Sequence, residues 1–564
     1  VRRGRGAPSR PRRAPADRAA CGRLAGAGAL RTEPGGQARS LPREVEIELG
    51  LDEPDEPARW RERVAASLGV GVDAVPDVSV TRRSLDARHG RVRFRLRVRV
   101  GQDALSSPPS GPAPREVQGP LRVVIVGGGP AGIFAAYALA RRGIACCVVE
   151  RGKTVQPRRH DLKALQRHGR VDPDSNYCFG EGGAGAYSDG KLYTRSVKRG
   201  DVRDVLEILV AHGAPASILT DARPHVGSNR LPRVVTALRE HLESVGVRFR
   251  FGARVADLVV DHGARRRVAG VTLVTGEQLA ADWVVIATGH SARDVHGMLL
   301  RQGVRLEPKG FAVGVRIEHP QALVDRIQYG AAAGHPRLPP AAYAWAAPIE
   351  GRGVFSFCMC PGGFVVPAST EPDGLVVNGM SLSGRRFGLA NAGIVVAVEP
   401  EDWWRAGFEG ALGGVALQRS LERAAFLAGG GALRAPGTRV TDFLARRASS
   451  ALPETSYIPG LRPADVGDVL DSTALGLAGR LRAGLRELGA RMRGLLGEET
   501  ILIGVETRTS SPVRVPRDPV TLESPDLAGL VPVGEGAGHA GGIVSAAIDG
   551  LRAGEAIARA LGAG

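Results

Sequence analysis

The run Val123-Val124-Ile125-Val126-Gly127-Gly128-Gly129-Pro130-Ala131-Gly132 decides how this chain folds. Four β-branched residues make a short apolar strand, the glycines behind them carry the spacing G-x-G-x-x-G, and the pattern turns helical over residues 133–142. Each glycine has a physical task. Gly127 permits the tight turn out of the strand, Gly129 lets backbone approach a pyrophosphate, and Gly132 lets the helix pack close to the strand. The N–H groups of the helix N-terminus then face the phosphates. A second strand, Ile144-Ala145-Cys146-Cys147-Val148-Val149, ends at Glu150, about 20 residues beyond the glycines, placed to accept from ribose hydroxyls. Arg151, beside it, is counted with the cofactor-binding residues. Strand, glycines, helix, strand and acid in this order specify a dinucleotide site, without saying which dinucleotide.

The rest of the chain bounds the answer. Its 564 residues predict three or four domains, and 43% hydrophobic content without an apolar run of 18 residues excludes a membrane-spanning helix. Six cysteines at irregular spacing fit neither a disulfide framework nor a zinc ligand set, so no metal is expected and a reducing compartment is. The net charge of +18 suggests nucleic acid until it is located. Residues 1–40 carry ten Arg against Asp17 and Glu33, a net +8 that leaves +10 for everything else. Residues 1–42 read as a disordered Arg/Pro/Ala-rich tail. The same composition fits a plastid transit peptide. The start at Val1 fits an alternative bacterial start codon or a truncated sequence, and the expected location is the bacterial cytoplasm.

Residues 43–101 predict a small α+β domain: a strand through Val45, Ile47 and Leu49, a helix over 57–68, and a strand over 91–100. In that last strand Val92, Phe94, Leu96, Val98 and Val100 face one way and Arg91, Arg93, Arg95, Arg97 and Arg99 the other. The guanidinium row reads as the solvated face of a half-buried sheet, with an anionic partner as the alternative. Residues 102–120, rich in Pro, Ser and Gly, predict a linker. The dinucleotide unit occupies 121–310, an inserted substrate domain 311–500, and the chain returns to the first domain over 501–564. The fold class is α/β: a glutathione-reductase-like Rossmann domain with an insertion and an N-terminal accessory domain.

Three further segments favour flavin over nicotinamide. Ala287-Thr288-Gly289 ends a strand on residues small enough to let backbone pass a cofactor. Val533-Gly534-Glu535-Gly536 places an acid at another strand end, where it can bind a ribityl hydroxyl. Gly541, Gly542 and Ile543 open a helix whose positive N-terminus can stabilise a reduced flavin. The glycine-dense run 180–192, with Gly182, Gly183 and Gly185, suits backbone contact with the same cofactor.

On these motifs the chain resembles a bacterial and plastid family of poorly characterised FAD-dependent dehydrogenases, related to glutathione-reductase-type and BaiN-like flavoproteins. The resemblance spans residues 43–564. It includes Ser84-Leu85-Asp86-Ala87-Arg88, Glu181-Gly182-Gly183-Ala184-Gly185-Ala186-Tyr187-Ser188-Asp189-Gly190-Lys191-Leu192, Phe357-Cys358-Met359-Cys360-Pro361-Gly362-Gly363, Val505-Glu506-Thr507-Arg508-Thr509-Ser510-Ser511-Pro512-Val513-Arg514 and Gly534-Glu535-Gly536-Ala537-Gly538-His539. It implies FAD and a BaiN-like substrate domain, and supplies no substrate.

Candidate chemistry follows from residue type. Lys191 can stabilise reduced flavin or pair with a carboxylate. Cys358 and Cys360, two apart in a strand, share a face and read as core residues, redox thiols or soft-metal ligands. Arg508 and Arg514 have forks that suit a substrate or cofactor anion, or surface ion pairs. His539 reads as a proton donor or a backbone-bonded histidine. Cys146 and Cys147 read as core. The expected activity is hydride transfer between flavin N5 and a small substrate, with NAD(P)H as a transient donor and no membrane partner. The alternatives are a flavin-binding RNA protein, disfavoured by where the charge lies, and a non-catalytic FAD scaffold.

Overall fold

Residues 123–126 become the centre of a five-stranded, all-parallel sheet in the order Leu530–Pro532, Trp283–Ile286, Gln118–Val126, Ile144–Glu150 and Arg248–Phe251. The computed structural model describes residues 43–101, 111–193 and 200–563. The expected tail 1–42, residues 102–110 of the expected linker, and Cys21 lie outside them.

Parallel strands covered on both faces need apolar residues in unbroken runs. Here alternate residues feed two cores. Val123, Ile125, Cys146, Val148, Val285 and Val531 pack beneath the helices Pro130–Arg141 and Ile543–Ala560. Val124, Val126, Cys147, Val149, Val284 and Ile286 face a three-stranded antiparallel sheet, Val255–Asp261, Arg267–Leu273 and Gln278–Ala280. Cys146 and Cys147 therefore lie in opposite cores, and burial pushes both thiols up, away from reactivity. The two helices cross at Gly550 and Gly554, where an added Cβ would stand 2.1 Å from the Ala131 carbonyl oxygen and 2.6 Å from the Ala138 Cβ.

The second large sheet has seven strands in the order Ala346–Ile349, Arg352–Cys360, Leu389–Val398, Phe311–Pro320, Ile501–Glu506, Ala435–Arg439 and Leu461–Pro463. All neighbours are antiparallel except the last pair. This corrects the predicted boundary at 501. Ile501–Glu506 does not return to the first domain but pairs with Phe311–Pro320 inside the insertion, and the return follows it. The expected linker also ends early: Val117 N–H donates to the Val245 carbonyl at 2.9 Å, and Gln118 already belongs to the parallel sheet.

The N-terminal sheet is antiparallel, with Arg93–Val100 between Glu44–Leu49 and Val78–Asp86, and the helix Pro57–Leu68 packed on it. Its arginine face meets an acidic one. Arg97 pairs with Glu46 at 3.0 Å, Arg95 with Glu48 at 3.1 Å, and Arg93 also with Glu48. Among the described residues no helix is long and apolar enough to cross a membrane.

Candidate active site

The glycine turn forms as its spacing demands. Gly127 has φ 111°, and its N–H donates to the Val149 carbonyl at 2.8 Å, which ties the two strand ends together. A Cβ on Gly132 would lie 1.9 Å from the Gly127 carbonyl oxygen, so the helix can start here only on glycine. Beyond the turn opens a cavity of about 780 Å³, within the range of cofactor pockets. Gly127, Gly129, Glu150, Arg151, Gly183, Gly185, Thr288, Gly289, Glu535, Gly541, Gly542 and Ile543 all line it.

The lining fits FAD. Two helix N-termini, at Pro130 and Ile543, open on one cavity, giving two separate sites for negative charge. Added Cβ atoms on Gly289, Gly541 and Gly542 would meet nothing within 4 Å, so side chains there would fill the cradle rather than the protein. Glu150 does more than expected: it accepts Gly128 N–H at 2.7 Å and Gly152 and Gly180 N–H at 2.9 Å each. A carboxylate has about four acceptor sites, so about one remains for a ribose hydroxyl. Burial pushes the Glu535 carboxyl up to about 7, with Lys309 opposing the rise.

One fully buried side chain shapes the glycine loop. Arg158 donates to the carbonyls of Asn176, Tyr177, Glu181 and Gly183 at 2.8–3.0 Å. Glu181 then accepts Val155 N–H at 2.7 Å and Arg239 Nε at 2.6 Å. The loop is therefore pinned, and it delivers Asp189 and Lys191 to the cavity wall.

There the chemistry gathers. Lys191 Nζ stands 2.7 Å from Asp189 Oδ2 and 3.5 Å from each of the Cys358 and Cys360 sulfurs. Burial opposes its charge, but both sulfurs and Asp189 outweigh that and hold its pKa above the usual lysine value. Asp189 is buried and also accepts from Ser381. Cys358 lines the cavity, and Cys360 is fully buried. Behind them Arg316 donates to the Cys358 carbonyl at 2.9 Å and pairs with Glu506 at 2.6 Å, a carboxyl that burial raises to about 7.

Other expected residues sit elsewhere. Gly182 and Gly534 lie one layer back, donating to the Gly128 carbonyl and to Asp549 Oδ2, each at 2.8 Å. Arg514 is exposed on a two-residue ladder against Glu307–Pro308 and does not line the cavity, which corrects its substrate-binding assignment. His539 is likewise not in the lining. Its Nε2 lies 2.9 Å from the Val515 carbonyl, and burial beside Arg517 lowers its pKa to about 4, so the expected proton donor is neutral and backbone-bonded. Arg508 does line the cavity, but its fork is already engaged: Nε and Nη2 bind Glu422 at 3.0 and 2.9 Å, and Nη1 binds Ser291 and Thr370. Sequence reading missed Cys178, His290 and Ser291. The Ser291 hydroxyl lies 3.3 Å from the Cys178 sulfur and 2.8 Å from His290 Nδ1. No local spacing marks this contact, which joins residues 113 apart.

Comparison with known proteins agrees with the geometry. Residues 310–509 match the model of an FAD-dependent protein, C-terminal domain-like, and 120–167 match an FAD binding domain. Residues 225–373 match FAD dependent oxidoreductase, and 41–101 match a domain of unknown function. An uncharacterized protein of Clostridium beijerinckii is 38% identical over 534 residues, covering 91% of this chain and 97% of its own. Among solved structures, CtdE in complex with FAD aligns at 12% identity over 78% of this chain and 84% of its own, with a TM-score of 0.29. The flavin-dependent brominase Bmp2 aligns at 13% over 78% and 80%, with a TM-score of 0.35. The near end-to-end relative, with FAD models on both sides of the glycine loop, means that the chain belongs to the family of FAD-dependent oxidoreductases.

Proposed function

We propose that this FAD-dependent oxidoreductase exchanges a hydride with a small, partly apolar organic substrate seated between Lys191 and the strand Arg352–Cys360. The observation that carries the reading is one continuous cavity whose wall holds both the dinucleotide cradle and Tyr193, Phe355, Phe357, Asn378 and Lys191. Bound FAD supplies the two-electron chemistry. The helix N-terminus at Ile543 and the Lys191 ammonium stabilise negative charge developing beside it. Phe355 and Phe357, two apart on one strand, give the substrate an apolar wall. Asn378 Oδ1 is taken by Arg316 at 2.7 Å and by Gly379 N–H at 2.7 Å, leaving the amide N–H groups as donors.

Nucleic acid has no part in this reading. The arginine row that suggested it is paired across the N-terminal sheet with Glu46 and Glu48. The purified protein should carry releasable FAD that NADH, NADPH or a member of a small-substrate panel reduces anaerobically. A bound flavin that none of them reduces would put the scaffold reading in its place. Retention of tRNA at low ionic strength would restore the RNA reading.

Glu535 gives this reading a pH signature. A ribityl hydroxyl donates to the ionised carboxylate, so FAD and a proton compete for the group. FAD affinity should rise by up to about tenfold per pH unit as pH climbs toward about 7, then level off. In E535Q the slope should vanish. A wild-type affinity that is flat across this range removes Glu535 from the cofactor site.

A further inference from the structure

We propose that Cys358 and Cys360 are a redox-active dithiol that closes to a disulfide as it passes an electron pair to flavin bound in the same cavity, Cys358 being the thiol offered to small disulfide substrates. The inference rests on the FAD reading above, but begins from the chain's own geometry. Both sulfurs stand 3.5 Å from one ammonium, Lys191 Nζ. Cysteines kept only for packing would sit among apolar atoms, as Cys146 and Cys147 do. These two instead share a cation, and one of them faces the cavity.

The backbone is shaped for the pair. Residues two apart on a regular strand have Cα atoms about 6.6 Å apart, near the upper end of what a disulfide spans. The register against Leu389–Val398 breaks between Phe357 and Cys360, and Cys358 adopts φ 44°. A bulge bends the strand at the pair, and positive φ on a non-glycine residue is strain that the surrounding structure must hold. Arg316 holds it by binding the Cys358 carbonyl.

The electrostatics divide the roles. The charged groups around the pair are Lys191, Asp189, Arg316 and Glu506. The Cys360 S–H donates to the Cys358 carbonyl at 3.3 Å, and the Cys358 pKa is lowered by the neighbouring Cys360, with burial opposing and Lys191 and Arg316 assisting. Cys360, buried and with its S–H engaged by that carbonyl, is the proton-bearing partner, and its pKa is raised. Cys358, which lines the cavity beside the Lys191 ammonium, is the thiolate.

The step balances. The S–S bond forms between Cys358 thiolate and Cys360, whose S–H bond breaks. Two electrons and the Cys360 proton leave for the flavin. In the outward direction that step runs in reverse: flavin reduced by a nicotinamide donor returns two electrons and a proton to the Cys358–Cys360 disulfide. The Cys358 thiolate then attacks a substrate disulfide, one thiolate leaves, and Cys360 displaces the second thiol, giving up its proton as the internal disulfide closes again.

Three measurements test the proposal. In flavin-free protein, iodoacetamide should alkylate Cys358 at pH 6 on the order of 100-fold faster than an ordinary thiol, which is mostly protonated there. K191M should restore ordinary pH dependence. After aerobic turnover of the holoprotein, peptide mapping should recover Cys358 and Cys360 as one intramolecular disulfide. Under argon, dithiothreitol should bleach the flavin in wild type but not in C358S or C360S. A protein that binds no FAD refutes the cofactor reading and still reports thiol reactivity. If FAD binds, Cys358 alkylates like an ordinary thiol and no linked peptide forms, the dithiol is overturned, whether or not the serine variants fold.

Discussion

Gly132→Ala is expected to abolish FAD binding and destabilise the protein by about 3 kcal/mol or more. The added methyl group would stand 1.9 Å from the Gly127 carbonyl oxygen and 3.2 Å from the Ile125 side chain. The first of these is backbone, which has no rotamer to retreat into. Relief requires the helix Pro130–Arg141 to move off the strand Gln118–Val126. That shift disturbs Gly129, the Gly127 tie to Val149, and the crossing with Ile543–Ala560 together. Gly541→Ala separates the two consequences, since its Cβ meets nothing within 4 Å. The apoprotein should then melt as wild type does while FAD affinity falls, because the methyl group occupies cofactor space. Thermal melts with and without added FAD, together with flavin content after purification, read both. A Gly132→Ala protein that keeps wild-type melting and a full complement of FAD would mean that the turn is not the cofactor's anchor.

The parts of the site that sequence revealed share one property: each is local. The glycine turn, Glu150, Thr288-Gly289 and Glu535 with Gly541 to Ile543 each place their chemistry within a few residues of a strand end or helix start, so spacing alone positions them. Gly127, Gly129, Glu150, Thr288, Gly289, Glu535 and Gly541 to Ile543 all line the cavity, and Gly132 packs behind the turn. What sequence left undecided was long-range. Arg158 satisfies four carbonyls of a loop 18 to 25 residues away, and nothing in its neighbourhood separates it from the other arginines of the chain. For Arg508 the residue type was informative and the partner was not, because Glu422 is 86 residues away. Lys191 and the two cysteines were each open to several readings alone. Their convergence across 167 and 169 residues gives them a shared one.

Ile501–Glu506 shows the same limit at the level of fold. Six buried residues in a row read equally well as a core strand of a parallel sheet or a central strand of an antiparallel one. Only the pairing of Ile317 with Leu502 and Gly437 with Ile503 decides it, and register between distant strands leaves no mark on either alone.

Glu422→Gln is expected to cost about 3–5 kcal/mol, the range for breaking a buried ion pair on one side. Glu422 is fully buried and joins three elements of the two large domains. Arg508 binds both its oxygens, Arg293 binds Oε1 at 2.8 Å, and Thr507 donates to the same oxygen at 2.8 Å. The amide can still accept, but it removes the charge that compensates the buried Arg508 guanidinium and leaves Arg293 only Glu371 as its carboxylate. Burial alone would raise the Glu422 pKa, and the attraction of Arg508 and Arg293 outweighs it, bringing the carboxyl from 4.5 to about 2. A depressed carboxylate pKa stabilises the folded state fully above the unfolded value and loses that contribution as pH falls through the folded one. Wild type should therefore lose about 3 kcal/mol between pH 4.5 and 2 from this group, and Glu422→Gln should lose none of it. Urea unfolding of both proteins at neutral pH and at successively lower pH gives the comparison: the gap should be widest at neutrality and close toward acid. The same variant tests the cavity, because Arg508 Nη1 holds the Ser291 hydroxyl at 3.0 Å. Released from Glu422, Arg508 loses its fixed orientation and Ser291 loses a donor, so FAD affinity should fall alongside stability. A stability gap that stays constant with pH would show that the charge of Glu422 is not what joins the two domains.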